Sequence, residues 1–404
     1  MAGPGAGDVI QAAWAATPVR ERLAILRRAR HGIAERVEQL AEAAARPGVG
    51  SADILVAEVM PLLAAICFLE DRAAAILRPR RPWRGRPIWL FGTRLEIRRL
   101  PFGRVLVIGP ANYPALLPGV QLMQALAAGN AVAVKPAPGC AAPLVLLARV
   151  LAEAGLPDGL LVVLDDTVAA GVEAVGSGGF DLVLLTGSSA TGRSVLSQAA
   201  PLLLPAIMEL SGEDPFVVLE GADAGYAAQA LAFGRAFNAG NTCIAPRRVI
   251  VVRAIEAQFR AALGPSAPAL SVVADAAQAL AAANAGPMAL GAAVFGPHAA
   301  ASSFARQLRA GCVVVGDVVA PTADPRLPFG GAGESGFGTT RGAEGLLALT
   351  RPQAIVSRRR PERRHLAGLD DKVVPLVAGL LRAAYGRNRV AAALAAIRRI
   401  SRRP

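Results

Sequence analysis

Between residues 101 and 187 four short apolar runs, RVLVIG, NAVAVKP, LLVVLD and FDLVLLTG, each lie next to Gly or Pro and are separated by helix-length stretches. A strand-length run without polar alternation is buried on both faces, and strands spaced by helices need crossover connections. The order therefore predicts an α/β fold built on a parallel, doubly wound, Rossmann-type sheet. FVVLE and RRVIVV after Gly212, a helix over 276–285 and GCVVVGD as a buried strand predict a second α/β unit. Ahead of the first run, Leu23, Leu26, Ile33 and Val37 fall near helical spacing, predicting helices over 8–46 and again over about 52–77. RPRRPWRGRP breaks the helical pattern, and IWLFGTRLEIRRL alternates like strands. A chain of 404 residues suggests two or three domains, and no internal repeat is visible. With 53% hydrophobic and 18% charged residues it is neither disordered nor fibrous.

Charge divides the chain unevenly. Residues 351–404 hold 14 Arg or Lys against Glu362, Asp370 and Asp371, whereas the preceding body is nearly neutral. Cys67, Cys140, Cys243 and Cys312 stand far apart without a CxxC pair, so neither a disulfide scaffold nor a zinc site is expected, and no metal is implied. The start, MAGPGAGDVIQAAW, lacks the basic-then-apolar pattern of a secretory signal. Runs such as 144–151 are too short to cross a bilayer, and Glu58 is expected to interrupt the longer one around it. The expected location is the cytoplasm.

Several residues stand where chemistry could use them. Asn112 follows Gly109-Pro110 at the end of the first buried run, either as a turn residue or as an amide donor for a developing oxyanion. Lys135 ends the next run and is the only lysine in the first 371 residues, although the chain is rich in arginine. Gly187 and Ser188, followed by Gly192, open a helix with small residues, which suits a pyrophosphate. Glu209 follows an apolar stretch and reads as an exposed strand end or a partly desolvated general base. Cys243 follows a glycine turn and reads as a small buried hydrophobe or a nucleophile.

In order, PFGRVLVIGPANYP, GNAVAVKP, LTGSSATG, MELSGEDP, FNAGNTC and PFGGAGESGFG resemble the aldehyde dehydrogenase superfamily over roughly residues 14–356. The resemblance implies that Cys243 is the nucleophile, Glu209 the general base and Asn112 an oxyanion donor together with the Cys243 backbone N–H. It further implies a cofactor site at Lys135, Gly187, Ser188, Pro110 and Gly192 for NAD or NADP, and a substrate tunnel lined by Phe329. A thiolate attacking an aldehyde gives a thiohemiacetal, and oxidation leaves a thioester that an activated water releases. Because acylating relatives generally lack the base, Glu209 favours a free carboxylic acid over transfer to coenzyme A. The implied organisation is a cofactor domain of 1–85 and 101–211, a bridging hairpin of 86–100, an abbreviated catalytic domain of 212–350 and a basic amphipathic tail of 351–404.

The sequence also departs from the family pattern. Asn241 stands where a Gln or Glu is usual, Glu213 where a Lys is common, and Pro138 where NAD-preferring members carry a Glu that grips the adenosine ribose. Only 85 positions separate Cys243 from Pro328, and the Glu-x-Phe-Gly-Pro block that supplies the nicotinamide-ribose carboxylate is missing; VFGP at 294–297 belongs to a later strand. This leaves two functional expectations. One is oxidation of an apolar, long-chain aldehyde by a homo-oligomer, most simply a dimer. The other is a weakly active or non-catalytic member acting as a membrane-attached scaffold or binding protein. In the tail, Val373, Leu376, Val377, Leu380, Leu381 and Ala384 form a helical stripe, with Arg382, Arg387, Arg389, Val390, Leu394 and Ile397 beyond. Such a helix docks on the body or lies on an anionic membrane surface, here the inner face. Nucleic acid is disfavoured, since Tyr385 is the tail's one aromatic and no binding module is present.

Overall fold

The computed structural model describes residues 6–84, 90, 92–358 and 370–387. The chain falls into two units, one of residues 1–80 and 97–353, the other of 81–96 and 354–404. In chain order the strands are β1 (Thr93–Pro101), β2 (Arg104–Ile108), β3 (Ala131–Lys135), β4 (Leu161–Val163), β5 (Leu182–Gly187), β6 (Ala206–Leu210), β7 (Pro215–Val218), β8 (Arg248–Val252), β9 (Leu270–Val273), β10 (Met288–Ala289), β11 (Gly291–Phe295), β12 (Cys312–Val315), β13 (Ala332–Gly333), β14 (Gly336–Phe337) and β15 (Thr350–Arg358).

The first unit holds two large sheets, besides the two-stranded pair β10-β13. One runs β14-β6-β5-β2-β3-β4, parallel except for β14, and the other β12-β11-β7-β8-β9, parallel throughout. The apolar runs work as two-faced strands. Val105, Val107, Leu182 and Leu184 pack into one core and Leu106, Ile108, Val183 and Leu185 into another. Phe216, Val218, Val249 and Val251 oppose Val217, Ile250 and Val252 in the same way across the second sheet. GCVVVGD differs from expectation: as β12 it is the edge strand and only partly buried, because one side lacks a neighbour.

From β2 the first sheet grows outward through β3 and β4, then returns to add β5 and β6 on the other side. The order reverses between β2 and β5, and a crevice at the carboxyl ends of such a pair is where this architecture binds ligands. Gly109-Pro110 and Gly187-Ser188 leave the sheet at those two ends.

Helices cover the sheets. Against expectation, Glu58 does not stop the run around it from being long and apolar enough to cross a membrane. A single helical run, Ser51–Ile76, passes through Glu58 by way of a π turn at Leu55–Val59. That run is long and apolar enough to cross a membrane, yet Ile54, Leu62, Ile66 and Leu69 are packed in the core and Glu58 is buried against Arg46.

In the second unit, Arg81 and Glu96 form an ion pair at 2.7 Å, and Trp83, Leu95, Ile355 and Val356 are exposed. Part of the segment expected as a bridging hairpin, 86–89 and 91, lies outside the described residues. Among those described, β1 pairs with β15 rather than within 86–100. The tail helix is Val374–Tyr385, and none of its side chains is buried. The Arg389, Val390, Leu394 and Ile397 part of the expected stripe lies outside the described residues.

Candidate active site

Cys243 belongs to a turn shaped by unusual backbone. Phe237–Gly240 forms a 3₁₀ turn in which Asn238 (φ 55°), Ala239 (φ 52°) and Gly240 (φ 75°) are all left-handed. Outside glycine that conformation is costly, so surrounding contacts must hold it. Asn238 donates through Nδ2 to the Asn112 carbonyl at 2.9 Å, and Asn112 donates through Nδ2 to the Asn241 carbonyl at 2.7 Å. Tyr113 Oη and Thr242 Oγ1 share a hydrogen bond of 2.7 Å. The loop after β2 and the loop before Cys243 are thus laced together. An amide nitrogen carries two N–H donors, so Asn112 retains one for a ligand.

Cys243 is partly buried and borders two cavities. The first, about 330 Å³, is lined mainly by apolar groups including Val56, Met60, Leu117, Phe233, Phe237, Val319 and Phe329. The second, about 300 Å³, is polar and lies at the switch point of the first sheet, lined by Pro110, Asn112, Thr186, Gly187, Glu209, Ser211, Asn241 and Arg247. Glu209 lines both. Its Oε2 accepts from Thr340 Oγ1 at 2.7 Å, while its buried Oε1 has no hydrogen-bond partner.

Burial raises the Glu209 carboxyl above its ordinary range, opposed by the Arg341 charge and the Thr340 hydroxyl. Burial also pushes the Cys243 thiol upward, aided by the negative charges of Glu209 and Asp214 and opposed by Arg341. Arg341 stacks over Phe329, 4.3 Å from the ring centroid, and donates through Nη1 to the Thr322 carbonyl at 2.9 Å. Asp214, buried at the start of β7, is raised by burial to about 7 although the Gly291 N–H donates to its Oδ1.

The remaining candidates surround the polar side. Lys135 is buried at the end of β3 and donates through Nζ to the Asp166 carbonyl at 2.9 Å. Ser188 caps the helix Ser189–Ala199 by accepting from the Thr191 N–H. A Cβ on Gly192 would stand 2.7 Å from Leu210, so close helix–strand packing accounts for that glycine. Lys135, Ser188 and Gly192 line neither of the two cavities, whereas Pro110 and Gly187 line the polar one and Phe329 the apolar one.

Sequence reasoning passed over Tyr113, Thr242, Thr340, Arg341 and Asp214. Their partners lie 129 to 131 positions away for the first three, and nothing local marks them. Arg46 was also missed, though Glu58, a lone carboxylate inside an apolar helix, was a signal that a cation stood nearby.

Comparison with known proteins identifies the family. The aldehyde dehydrogenase family model matches residues 5–274 and 264–355. The chain belongs to the aldehyde dehydrogenase family. It is 34% identical over 62% of its length to a 4,4'-diapolycopene aldehyde oxidase of Methylomonas sp, covering 47% of that protein. It is 32% identical over 49% of its length to a fatty aldehyde dehydrogenase of Saccharomyces cerevisiae, covering 38% of it. The chain thus spans about half or less of the length of these curated relatives. A solved aldehyde dehydrogenase from Burkholderia cenocepacia, itself described as putative, superposes with a TM-score of 0.78 at 26% identity, over 86% of this chain and 89% of that one. An aldehyde dehydrogenase of Mycobacterium tuberculosis complexed with NAD+ shares the fold, with a TM-score of 0.78 at 23% identity, over 85% and 86% of the two chains.

Proposed function

We propose that this chain oxidises aldehydes to carboxylic acids with NAD or NADP, and that its preferred aldehydes carry a long apolar chain. The observation that carries the reading is the position of Cys243 between an apolar and a polar cavity, with Glu209 bordering both. The Cys243 thiolate attacks the aldehyde carbon, and the resulting oxyanion takes the free Asn112 N–H and the Cys243 backbone N–H. Bound NAD or NADP supplies the hydride acceptor for this chemistry. Glu209 then takes a proton from water, which attacks the thioester and frees the acid and the thiol.

The polar side fits such a cofactor. Small residues at the switch point, Gly187 among them, leave room for a pyrophosphate. Ser188 at the following helix start and Lys135 at the end of β3, outside that cavity, are the further residues that would hold the cofactor. Among the described residues Glu209 is the one carboxylate lining that cavity, and none of them there takes the place of the missing block's Glu. An apolar substrate is supported by the Phe233, Phe237 and Phe329 lining and by the long, apolar molecules named for two relatives.

Attachment to an anionic membrane surface is a second part of the proposal. It is supported by the helix Val374–Tyr385, whose Val374, Val377, Leu380 and Leu381 are exposed within a basic segment. Cofactor reduction should be followed with both cofactors across straight-chain aldehydes of increasing length, alongside sedimentation with anionic and neutral vesicles. The expected result is kcat/KM that rises with chain length and is lost in Cys243→Ser, with salt-sensitive pelleting on anionic vesicles alone. Failure to reduce either cofactor with any aldehyde overturns catalysis in favour of a binding protein. Full-length protein that ignores vesicles at low salt overturns attachment.

A further inference from the structure

Away from the reacting groups, a buried ion pair reaches the nucleophile loop from the first helical layer. Arg46 donates through Nη1 to Glu58 Oε1 at 2.5 Å, and the other Glu58 oxygen accepts from the Ala115 and Leu116 N–H groups at 2.8 and 3.1 Å. Those N–H groups open the helix Leu116–Ala128 just after Asn112, where a carboxylate also meets the helix dipole. The second Arg46 nitrogen, Nη2, donates to Asn238 Oδ1, and Asn238 passes the link on to the Asn112 carbonyl. The guanidinium also lies 5.9 Å from the Tyr113 ring centroid. One arginine therefore touches both the loop that carries Asn112 and the strained loop that carries Cys243.

We propose that Arg46, held by Glu58, is a positioning residue that fixes the nucleophile loop against the Asn112 loop. A buried ion pair is a weak source of stability, since desolvation consumes most of its attraction. Geometry gives this one a different role. The planar guanidinium presents two divergent donors, one fixed on Glu58 and one on Asn238, and an ammonium cannot reproduce that fork. Asn238 sits at φ 55° with Ala239 following in the same conformation, so without its hydrogen bonds the turn would relax toward ordinary backbone. Relaxation would move Cys243 relative to the Asn112 donor. The inference rests on Cys243 being the nucleophile.

The test measures kcat and KM for aldehyde oxidation, and cofactor-free cleavage of p-nitrophenyl acetate, which needs thiol attack and oxyanion donors alone. Arg46→Met should lower kcat and ester cleavage about 100-fold with KM changed less than about 3-fold, as a displacement near 1 Å does. Arg46→Lys should recover only part of that loss. Asn238→Asp keeps a partner for Arg46 but removes the donor to Asn112, and it should reproduce much of the defect if Arg46→Met does not fold. In an Asn112→Ala background Arg46→Met should cost little more, because the two act as one unit. Folded Arg46→Met or Asn238→Asp protein with wild-type kcat overturns the inference, as does a fully additive loss in the Asn112→Ala background. A wild-type protein that cleaves the ester yet oxidises no aldehyde would instead overturn the proposed reaction and leave the positioning role standing.

Discussion

The two cavities that meet at Cys243 are built from different materials. The apolar one draws its walls from helices and from Phe329, and it offers dispersion and excluded water. The polar one is made at the carboxyl ends of β2, β5 and β6, with Asn241 and Arg247 added from the Cys243 loop side. The difference teaches that, on the proposed reading, the substrate chain and the cofactor would enter from sides of opposite character. The Cys243 sulfur and the Glu209 carboxylate border both.

The sharpest way to break this division is at the group the two sides share. Glu209→Gln should leave a first burst of reduced cofactor but cut steady turnover about 100-fold or more, because the acyl group stays on Cys243. A single-turnover experiment beside steady-state assays checks it. In the wild type, turnover should rise with pH, since burial raises the Glu209 carboxyl and the base acts only when ionised. A smaller effect, confined to the apolar side, is expected of Phe329→Ala. It should lower kcat/KM about 10-fold for long-chain aldehydes while leaving short ones and cofactor KM nearly unchanged. Equal losses for short and long substrates would show that the cavity does not read chain length.

The smallest effect concerns Asp214, a buried carboxyl whose negative charge opposes the Cys243 thiolate. Asp214, raised to about 7, keeps a proton in the folded chain that the unfolded chain loses near its ordinary value of 3.8. Stability therefore falls as pH rises through that window, by roughly 4 kcal/mol at the very most. Asp214→Asn should flatten this decline, read as melting temperatures at pH 5 and pH 8. It should also lower the Cys243 thiol pKa, read from the pH dependence of alkylation, because one of the charges opposing the thiolate is gone.

What the sequence revealed depended on how far apart the interacting residues lie along it. The buried strands were legible because both faces of β2, β3 and β5 need apolar side chains, which gives a continuous run. Asn112, Lys135 and Gly187 were legible because each ends such a run. β14, two residues long and antiparallel to β6, offers no pattern to read. Thr340 reaches Glu209 across 131 positions, and Arg46 reaches Asn238 across 192. Such pairs are created by the fold and leave no mark in local spacing.

The strap between Phe329 and Thr340 has a consequence for how this chain can change its length. Its ends are tied to each other, with the Phe329 N–H donating to Thr340 at 2.8 Å and the reverse bond at 2.7 Å. Within it β13 pairs with β10 while β14 pairs with β6, so two neighbouring dipeptides are registered against separate sheets. A Cβ on Gly333 would lie 2.1 Å from the Pro287 carbonyl oxygen, and one on Gly336 2.0 Å from that of Met208. A single inserted residue would slip one of these registers and carry the Thr340 hydroxyl away from Glu209. The strap is therefore the stretch near Glu209 where an insertion, or a side chain at Gly331, Gly333 or Gly336, would be felt most.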